Sequence, residues 1–496
     1  MKKFLILVLA LSTLQGFTQK GTKPEKFAKT ITADDLKKHL YIVAGPEMQG
    51  RETATPGQQK AAAYIESEFK KAGLQPGNNG NYQMHYDVLQ DSLTSASLEV
   101  NGQDFEQDKD FNVFLSNIPA TMRFSEVVLV GSNAADSLKN ANLTGRLVMM
   151  IGSIATGRGQ NQGGGVYSML LSKGVAGILM VNNNYPRSNS ASRKGNQMMN
   201  VFRRSISPQQ VTISENVARA ITGNDYDNAK TNTSTLKTYP ANILLGVNKI
   251  ILKSQSSNVI AILPGSDLKD EYLFITAHYD HLGKRGDSVI YYGADDDGSG
   301  TVSVLEIADA FARAKAAGKG PRRTIVFMTV SGEEKGLWGS DYYSSHPIFP
   351  LDKTTADLNI DMIGRIDPKR KEGDSTNYIY VVGDDKLSSD LRPISEAVNK
   401  KYTRMELDYK YNDPKDTERI YYRSDHYNFA KKGVPIIFYF NGTHADYHRP
   451  TDTPDKINYS LMAKRAQLVF YTAWEMANKN ELLKRDIPLD TNVFNR

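Results

Sequence analysis

Tyr272-Leu-Phe-Ile-Thr-Ala-His278-Tyr-Asp280 decides how this chain is read. An apolar run of strand type ends on an imidazole and a carboxylate. The pattern recurs. Thr324 to Val330 leads into Ser331-Gly-Glu333-Glu334, and Leu358 to Met362 carries Asn359-Ile-Asp361. Val434 to Phe440 precedes Ala445-Asp-Tyr447-His448-Arg-Pro-Thr-Asp452. A glycine-flanked turn, Gly293-Ala-Asp-Asp296-Asp-Gly-Ser-Gly300, leads into a helix predicted over Thr301 to Ala317. Open α/β sheets build their sites at the carboxyl ends of strands, so these clusters read as parts of one centre.

The surrounding pattern supports such a sheet. Strands are predicted at Val259 to Leu263 and Tyr378 to Val382 as well, and helices at Ser388 to Lys401 and Ser460 to Asn478. Alternation of this kind gives a mostly parallel central sheet covered by helices on both faces. Near the N-terminus, Thr32-Ala-Asp-Asp35 reads as a helix start, and Thr55-Pro56 as another. Behind Pro56, Ala61, Ala62, Ile65, Phe69 and Ala72 recur at helical spacing.

Residues 106–250 have a different texture. Ser125 to Gly131, Gly145 to Gly152 and Val175 to Val181 are short strands, with a helix at Tyr167 to Lys173. Ala155 to Gly165 and Arg187 to Gln197 read as exposed loops. No metal cluster falls here, so this stretch is expected to be a smaller α/β insert. It separates an N-terminal part of the main domain, 20–105, from the remainder, 251–496.

Composition narrows the class. A hydrophobic fraction of 40% against 23% charged excludes a disordered chain. The net charge of +6, from 61 basic and 55 acidic residues spread along the chain, does not point to nucleic acid. Residues 1–19 read as a signal peptide: Lys2 and Lys3, an apolar Phe4 to Leu11, then a small and polar stretch. That run is too short to span a bilayer, and no later stretch is a candidate. The chain has no cysteine, which excludes a lipid-anchored cysteine, disulfides and thiolate ligands. A secreted or periplasmic location is expected.

The residue types suit a pair of hard cations roughly 3.5–4 Å apart. His278 offers an imidazole nitrogen and Asp280 can hold the other ring nitrogen, provided the chain turns at Tyr279. A carboxylate at Asp296 has two oxygens and can touch both ions. Glu333 and Glu334 can divide metal binding from proton handling. Asp296, Glu334 and Asp361 bring three negative charges; two divalent ions and a hydroxide cancel them. Among the other histidines, His281 and His444 sit near the clusters with no required role. His39, His85 and His346 show no partner pattern, and His426 is a candidate for the substrate pocket.

The ordered set resembles the secreted di-zinc aminopeptidases of the zinc-dependent exopeptidase superfamily. The resemblance covers about residues 31–89 and 257–478, and the stretch between resembles a protease-associated domain. It implies two Zn2+ ions, other divalent transition metals being possible, and a peptide substrate. One ion would take His278, Asp361 and bridging Asp296; the other would take Glu334, His448 and Asp296. Glu333 would be the general base, Asp280 would orient His278, and Tyr447 would steady the oxyanion. Asp295 and Asp297 are the neighbours by which the Asp296 assignment could slip. Ser424-Asp425-His426 and Phe429 are expected near the specificity pocket. The same superfamily holds glutamate carboxypeptidase, for which Arg423 and Arg365 would have to grip a carboxylate, glutaminyl cyclase, and non-catalytic receptors that lose metal ligands.

Overall fold

A computed structural model describes residues 23–151, 164–202 and 205–489. The signal expected at 1–19 and most of the loop expected at 155–165 lie outside these residues. Contacts divide the chain into two units, Met1–Tyr86 with Ser256–Arg496, and Asp87–Gln255. Among the described residues no helix is long and apolar enough to cross a membrane.

In the first unit the strand order is Glu406–Asp408, Tyr378–Val382, Ile436–Phe440, Thr354–Ile360, Leu268–His278 and Arg323–Val330, then residues 259–263 at the end of a long strand. The central four run parallel, with His278 opposite Val330, Thr276 opposite Asn359, and Ile360 opposite Tyr439. Residues 259–263 pair antiparallel with Arg323–Val330, and Tyr378–Val382 pairs antiparallel with Ile436–Phe440. This register brings the carboxyl ends of four strands to one level, and the motif residues all follow those ends.

The central strands are unbroken apolar runs because both faces are covered. On Arg323–Val330, Ile325 and Phe327 join one core; Val326 and Met328 join the other. Helices Ala33–Val43, Pro56–Lys71, Gly300–Ala316 and Tyr459–Asn478 cover the first face through Leu40, Ile65, Phe311 and Phe470. Phe311 packs on Phe470 with ring centroids 4.6 Å apart. Full burial of such a ring stabilises by roughly 1.5–3 kcal/mol. Short helices Trp338–Ser345 and His426–Ala430 cover the other face, where Phe274 packs against Tyr343 and Phe429. The helix start read at Thr32 is present, its hydroxyl accepting from the Asp35 backbone N–H at 3.1 Å.

The second unit has its own mixed sheet. Residues 236–247 pair antiparallel with Ala120–Gly131, followed by Leu147–Ile151, Gly177–Val181 and Gln209–Ile213 in parallel, and Phe111–Val113 at the edge. This unit begins at residue 87, where the sequence reading set the insert at 106. Leu93, Leu98 and Val100 are the reason, because they are buried in one cluster with Val127, Leu129 and Val211. Part of the loop expected at 187–197 is strand Lys194–Met198, which pairs with residues 89–92.

Candidate metal centre

The strand that carries His278 ends on it, and the turn comes at Tyr279. Tyr279 donates from its backbone N–H to Val330 O at 2.9 Å and from its hydroxyl to Ser257 O at 2.6 Å. That buried anchor lets Asp280 depart from strand alternation. The Asp280 carboxylate accepts from Thr53 Oγ1 at 2.8 Å and from the Glu333 backbone N–H at 3.1 Å. It stands 3.7 Å from His278 Nδ1, whose nearer neighbour is the Asp280 main-chain oxygen at 3.2 Å. The expected carboxylate grip on that ring nitrogen is therefore replaced by the carbonyl; the carboxylate is occupied in joining two strand-end loops.

The three consecutive aspartates are separated by their partners. Asp297 accepts from the backbone N–H groups of His278, Gly300 and Met362 at 3.2, 2.8 and 3.0 Å. Asp295 accepts from Gly364 N at 2.6 Å and faces His444 Nε2 at 3.1 Å. Only the Asp296 carboxylate, of the three, looks between the histidines of the centre. Its Oδ1 lies 3.3 Å from His278 Nε2 and its Oδ2 3.0 Å from His448 Nε2. The backbone N–H groups of Asp295 and Asp296 donate to Asp452, which fixes the turn.

Two donor groups result. His278, Asp296 and Asp361 form one, with His278 Nε2 3.6 Å from Asp361 Oδ1. Asp296, Glu334 and His448 form the other, with His448 Nε2 3.2 Å from Glu334 Oε2. His281, given no role from sequence, enters the second group: its Nδ1 is 2.9 Å from Glu334 Oε1 and 3.8 Å from Asp296 Oδ2.

These atoms fit a pair of cations. Ligands bound tetrahedrally at about 2.0–2.1 Å stand roughly 3.3–3.4 Å from one another. The separations above scatter around that value. His278 Nε2, His281 Nδ1, Asp296 Oδ2 and Glu334 Oε1 are buried and, among the described residues, have no hydrogen-bond partner. Donors and acceptors this close would ordinarily bond each other. A cluster of such atoms left without bonds is compatible with cations taking the place of those bonds.

Without cations, protons take up the balancing role. Burial opposes charge on His278, but Asp361 and Glu333 hold its pKa well above the usual imidazole value. Burial likewise opposes charge on His448, which Asp296 and Glu334 push up to about 10. Burial raises the Asp296 carboxyl, and His278 and His448 reverse this to leave it well below the carboxylate range. Burial holds Glu333 well above that range. A bound dication would displace the protons on the histidines and lower Glu333, while keeping Asp296 ionised.

Glu333, Asp296 and Asp361 open onto a shared narrow cleft. Met362, Ile420, Phe438 and Phe440 give it an apolar wall, and Arg423 and Tyr447 a polar rim. Tyr447 stacks on His448 with centroids 3.9 Å apart and accepts from Arg423 Nη2 at 3.2 Å. Ser424, Asp425, His426 and Phe429 do not line this cleft. Asp425 accepts from Ser340 at 2.5 Å, and His426 is stacked on Phe438 with Nε2 donating to Tyr421 O at 2.8 Å. Burial pushes His426 down to about 3, so it is a neutral packing residue. Phe429 belongs to the core beneath.

Sequence reasoning also passed over Arg51. Its buried guanidinium donates to the main-chain oxygens of Tyr279, Val43, Tyr292 and Gly293 at 2.6, 2.8, 2.8 and 2.9 Å. It ties the two loops that carry His281 and Asp296. A lone arginine in a helical N-terminal segment offers no periodic signal that would have singled it out.

Residues 258–473 match the profile of Peptidase family M28. A probable leucine aminopeptidase of Arthroderma otae is 30% identical over 239 residues, 47% of this chain and 61% of that protein. A probable zinc metalloprotease of Pyricularia oryzae is 27% identical over 297 residues, 52% of this chain and 57% of that protein. The chain thus spans about three fifths of the length of these curated relatives. Its fold is shared with an aminopeptidase from Aneurinibacillus sp. strain AM-1, at a TM-score of 0.54 and 18% identity over 94% of this chain and 99% of that one. A zinc aminopeptidase from Bacillus subtilis gives 0.52 and 18% over 92% and 99%.

Proposed function

We propose an exported zinc metallo-exopeptidase that removes N-terminal residues from peptides, a reading supported by the match of residues 258–473 to Peptidase family M28. The observation that carries this reading is the convergence of buried, unpartnered His278, Asp296 and Glu334 atoms beside a cleft. His278, Asp296 and Asp361 would hold one zinc ion; Asp296, Glu334 and His448 would hold the other. When bound, such ions polarise a scissile carbonyl and lower the pKa of water toward about 7.

The chain's own groups supply the rest. Glu333 lines the cleft and is the group to take a proton from the attacking water and return it to the leaving amine. Asp280 positions Glu333 through its backbone N–H and keeps the His278 loop in place. The Tyr447 hydroxyl, on the cleft rim, is the donor to a developing oxyanion. The apolar wall excludes water and receives an apolar side chain. Export through residues 1–19 and a protease-associated role for the insert, expected at 106–250 and spanning Asp87–Gln255 in the structure, belong to the same proposal.

A carboxypeptidase of the glutamate type needs arginines free to grip a terminal carboxylate. Arg365 is committed to Asp446 at 3.0 Å. A receptor reading needs missing ligands, and every sequence-level ligand is retained here. Turnover of unblocked, N-acetylated and C-amidated peptides separates these readings. Cleavage lost on acetylation alone, and abolished by a chelator, is the expected result. Cleavage lost on amidation alone would overturn it.

A further inference from the structure

His281 is an imidazole at the centre to which the ligand set above gives no task. Its side chain is fully buried, and neither ring nitrogen has a hydrogen-bond partner among the described residues. Nδ1 nevertheless lies 2.9 Å from Glu334 Oε1. A ring nitrogen at that distance without hydrogen-bond geometry does not aim its in-plane lobe at the oxygen. The same nitrogen lies 3.8 Å from Asp296 Oδ2, so it stands beside two carboxylates of the centre.

The ring's placement is built by the backbone. The His281 N–H donates to Arg51 O at 3.3 Å. A Cβ on Gly293 would stand 2.4 Å from the ring's Cγ and 2.6 Å from its Cδ2, so the bare α-carbon is what admits the ring. His281 and His448 meet at 68° with centroids 5.9 Å apart, approaching the carboxylates from different directions. His281, Asp296 and Glu334 offer one ligand atom each within 4.8 Å of one another, and His448 Nε2 lies 3.0 Å from Asp296 Oδ2 and 3.2 Å from Glu334 Oε2.

We infer that His281 Nδ1 is a fourth protein ligand on the Glu334 side of the centre. The inference rests on the two-zinc reading and deepens it, because it makes the two sites unequal. The Glu334 side is then closed by His281, His448, Glu334 and Asp296. The Asp361 side has His278, Asp296 and Asp361 and keeps a position open. Closed sites of this kind serve structure and open ones serve chemistry. The ion on the Glu334 side is the tightly held one, and the ion on the Asp361 side exchanges first.

The competing role for His281 is donation of an Nδ1 proton to Glu334, and H281Q separates the two because its amide can still donate. Zinc stoichiometry and the visible spectrum of the cobalt(II)-loaded full chain are measured for wild type, H281Q, H281A and H448A. The expected result is two equivalents in wild type at saturating zinc, of which one exchanges readily. Both His281 variants should hold one at a zinc concentration that saturates wild type, and lose the four-coordinate cobalt band, as H448A does. An outer-shell donor costs 10–100-fold in affinity when removed and leaves the ligand count intact. H281Q with two equivalents and an unchanged cobalt spectrum would therefore overturn the inference while leaving the peptidase reading in place. Less than one equivalent in wild type would sink both. Should the variants not fold, X-ray absorption on wild type decides: about 1.5 imidazoles per zinc supports the inference, and about 1.0 refutes it.

Discussion

Gly293→Ala tests whether the backbone at the centre is as tightly fitted as its contacts state. Gly293 has φ +56°, in the left-handed region, and its missing Cβ would meet Asp296 O at 2.4 Å and His281 Cγ at 2.4 Å. Neither neighbour can give way freely, because one is backbone and the other a buried ring. A left-handed alanine costs about 1–2 kcal/mol. Overpacking adds about 1–3 kcal/mol. The sum, about 2–5 kcal/mol, corresponds to a fall in Tm of roughly 3–8 °C for a unit of about 300 residues. Gly318→Ala is the control. It also has a positive φ, +71°, but nothing lies within 4 Å of its Cβ position. It should lose only the conformational part, roughly 2–3 °C. Calorimetry of chelator-treated protein gives both shifts, and equilibrium dialysis gives zinc affinity. Gly293→Ala should also bind zinc more weakly, with Gly318→Ala matching wild type. Equal Tm losses and equal zinc affinities in the two variants would refute the crowding argument.

Glu333→Gln should keep full zinc content while turnover of an unblocked peptide falls about 10²–10⁴-fold; wild-type turnover would remove Glu333 from the proton-transfer role. Burial raises the Asp357 carboxyl from its ordinary 3.8 to about 8. The folded state then keeps a proton that the unfolded chain has lost, so stability falls as pH rises from about 4 to about 8. Asp357→Asn should consequently gain in Tm relative to wild type between pH 5 and pH 9, and parallel pH profiles for the two would contradict this. The local bonding agrees with a protonated acid: the single Thr276 hydroxyl proton faces both Asp357 Oδ1 at 2.8 Å and Asn359 Oδ1 at 2.9 Å. A proton on Asp357 satisfies the first contact and frees the hydroxyl for the second.

The sheet was legible because its central strands are buried on both faces and must be apolar throughout. The helix predicted at Thr301 to Ala317 is Gly300–Ala316, and that at Ser460 to Asn478 is Tyr459–Asn478. His278, Glu334 and Asp361 stand out in the sequence because each closes or closely follows an apolar strand, whereas Asp296 and His448 lie in polar stretches. What could not be read are partnerships set by chain turns. Asp295, Asp296 and Asp297 are chemically identical in sequence, and only the path of the turn sends one carboxylate between the histidines. His281 differs from His278 by lacking a strand beneath it, so spacing gave it no weight. The start of the second unit at residue 87 falls within one strand, Gln83–Val100, where no loop or composition change marks it.

Arg51 binds the carbonyl of a residue 228 positions later. At synthesis rates of about 5–20 residues per second, its downstream acceptors on Tyr279, Tyr292 and Gly293 emerge roughly 10–50 s after it does. For that interval the early helices have no sheet to cover, and their apolar stripes stand open to the solvent. The donor set is incomplete until His448, in the last third of the chain, has been made, and whatever shelters the early segment in the meantime bears on the yield of folded molecules.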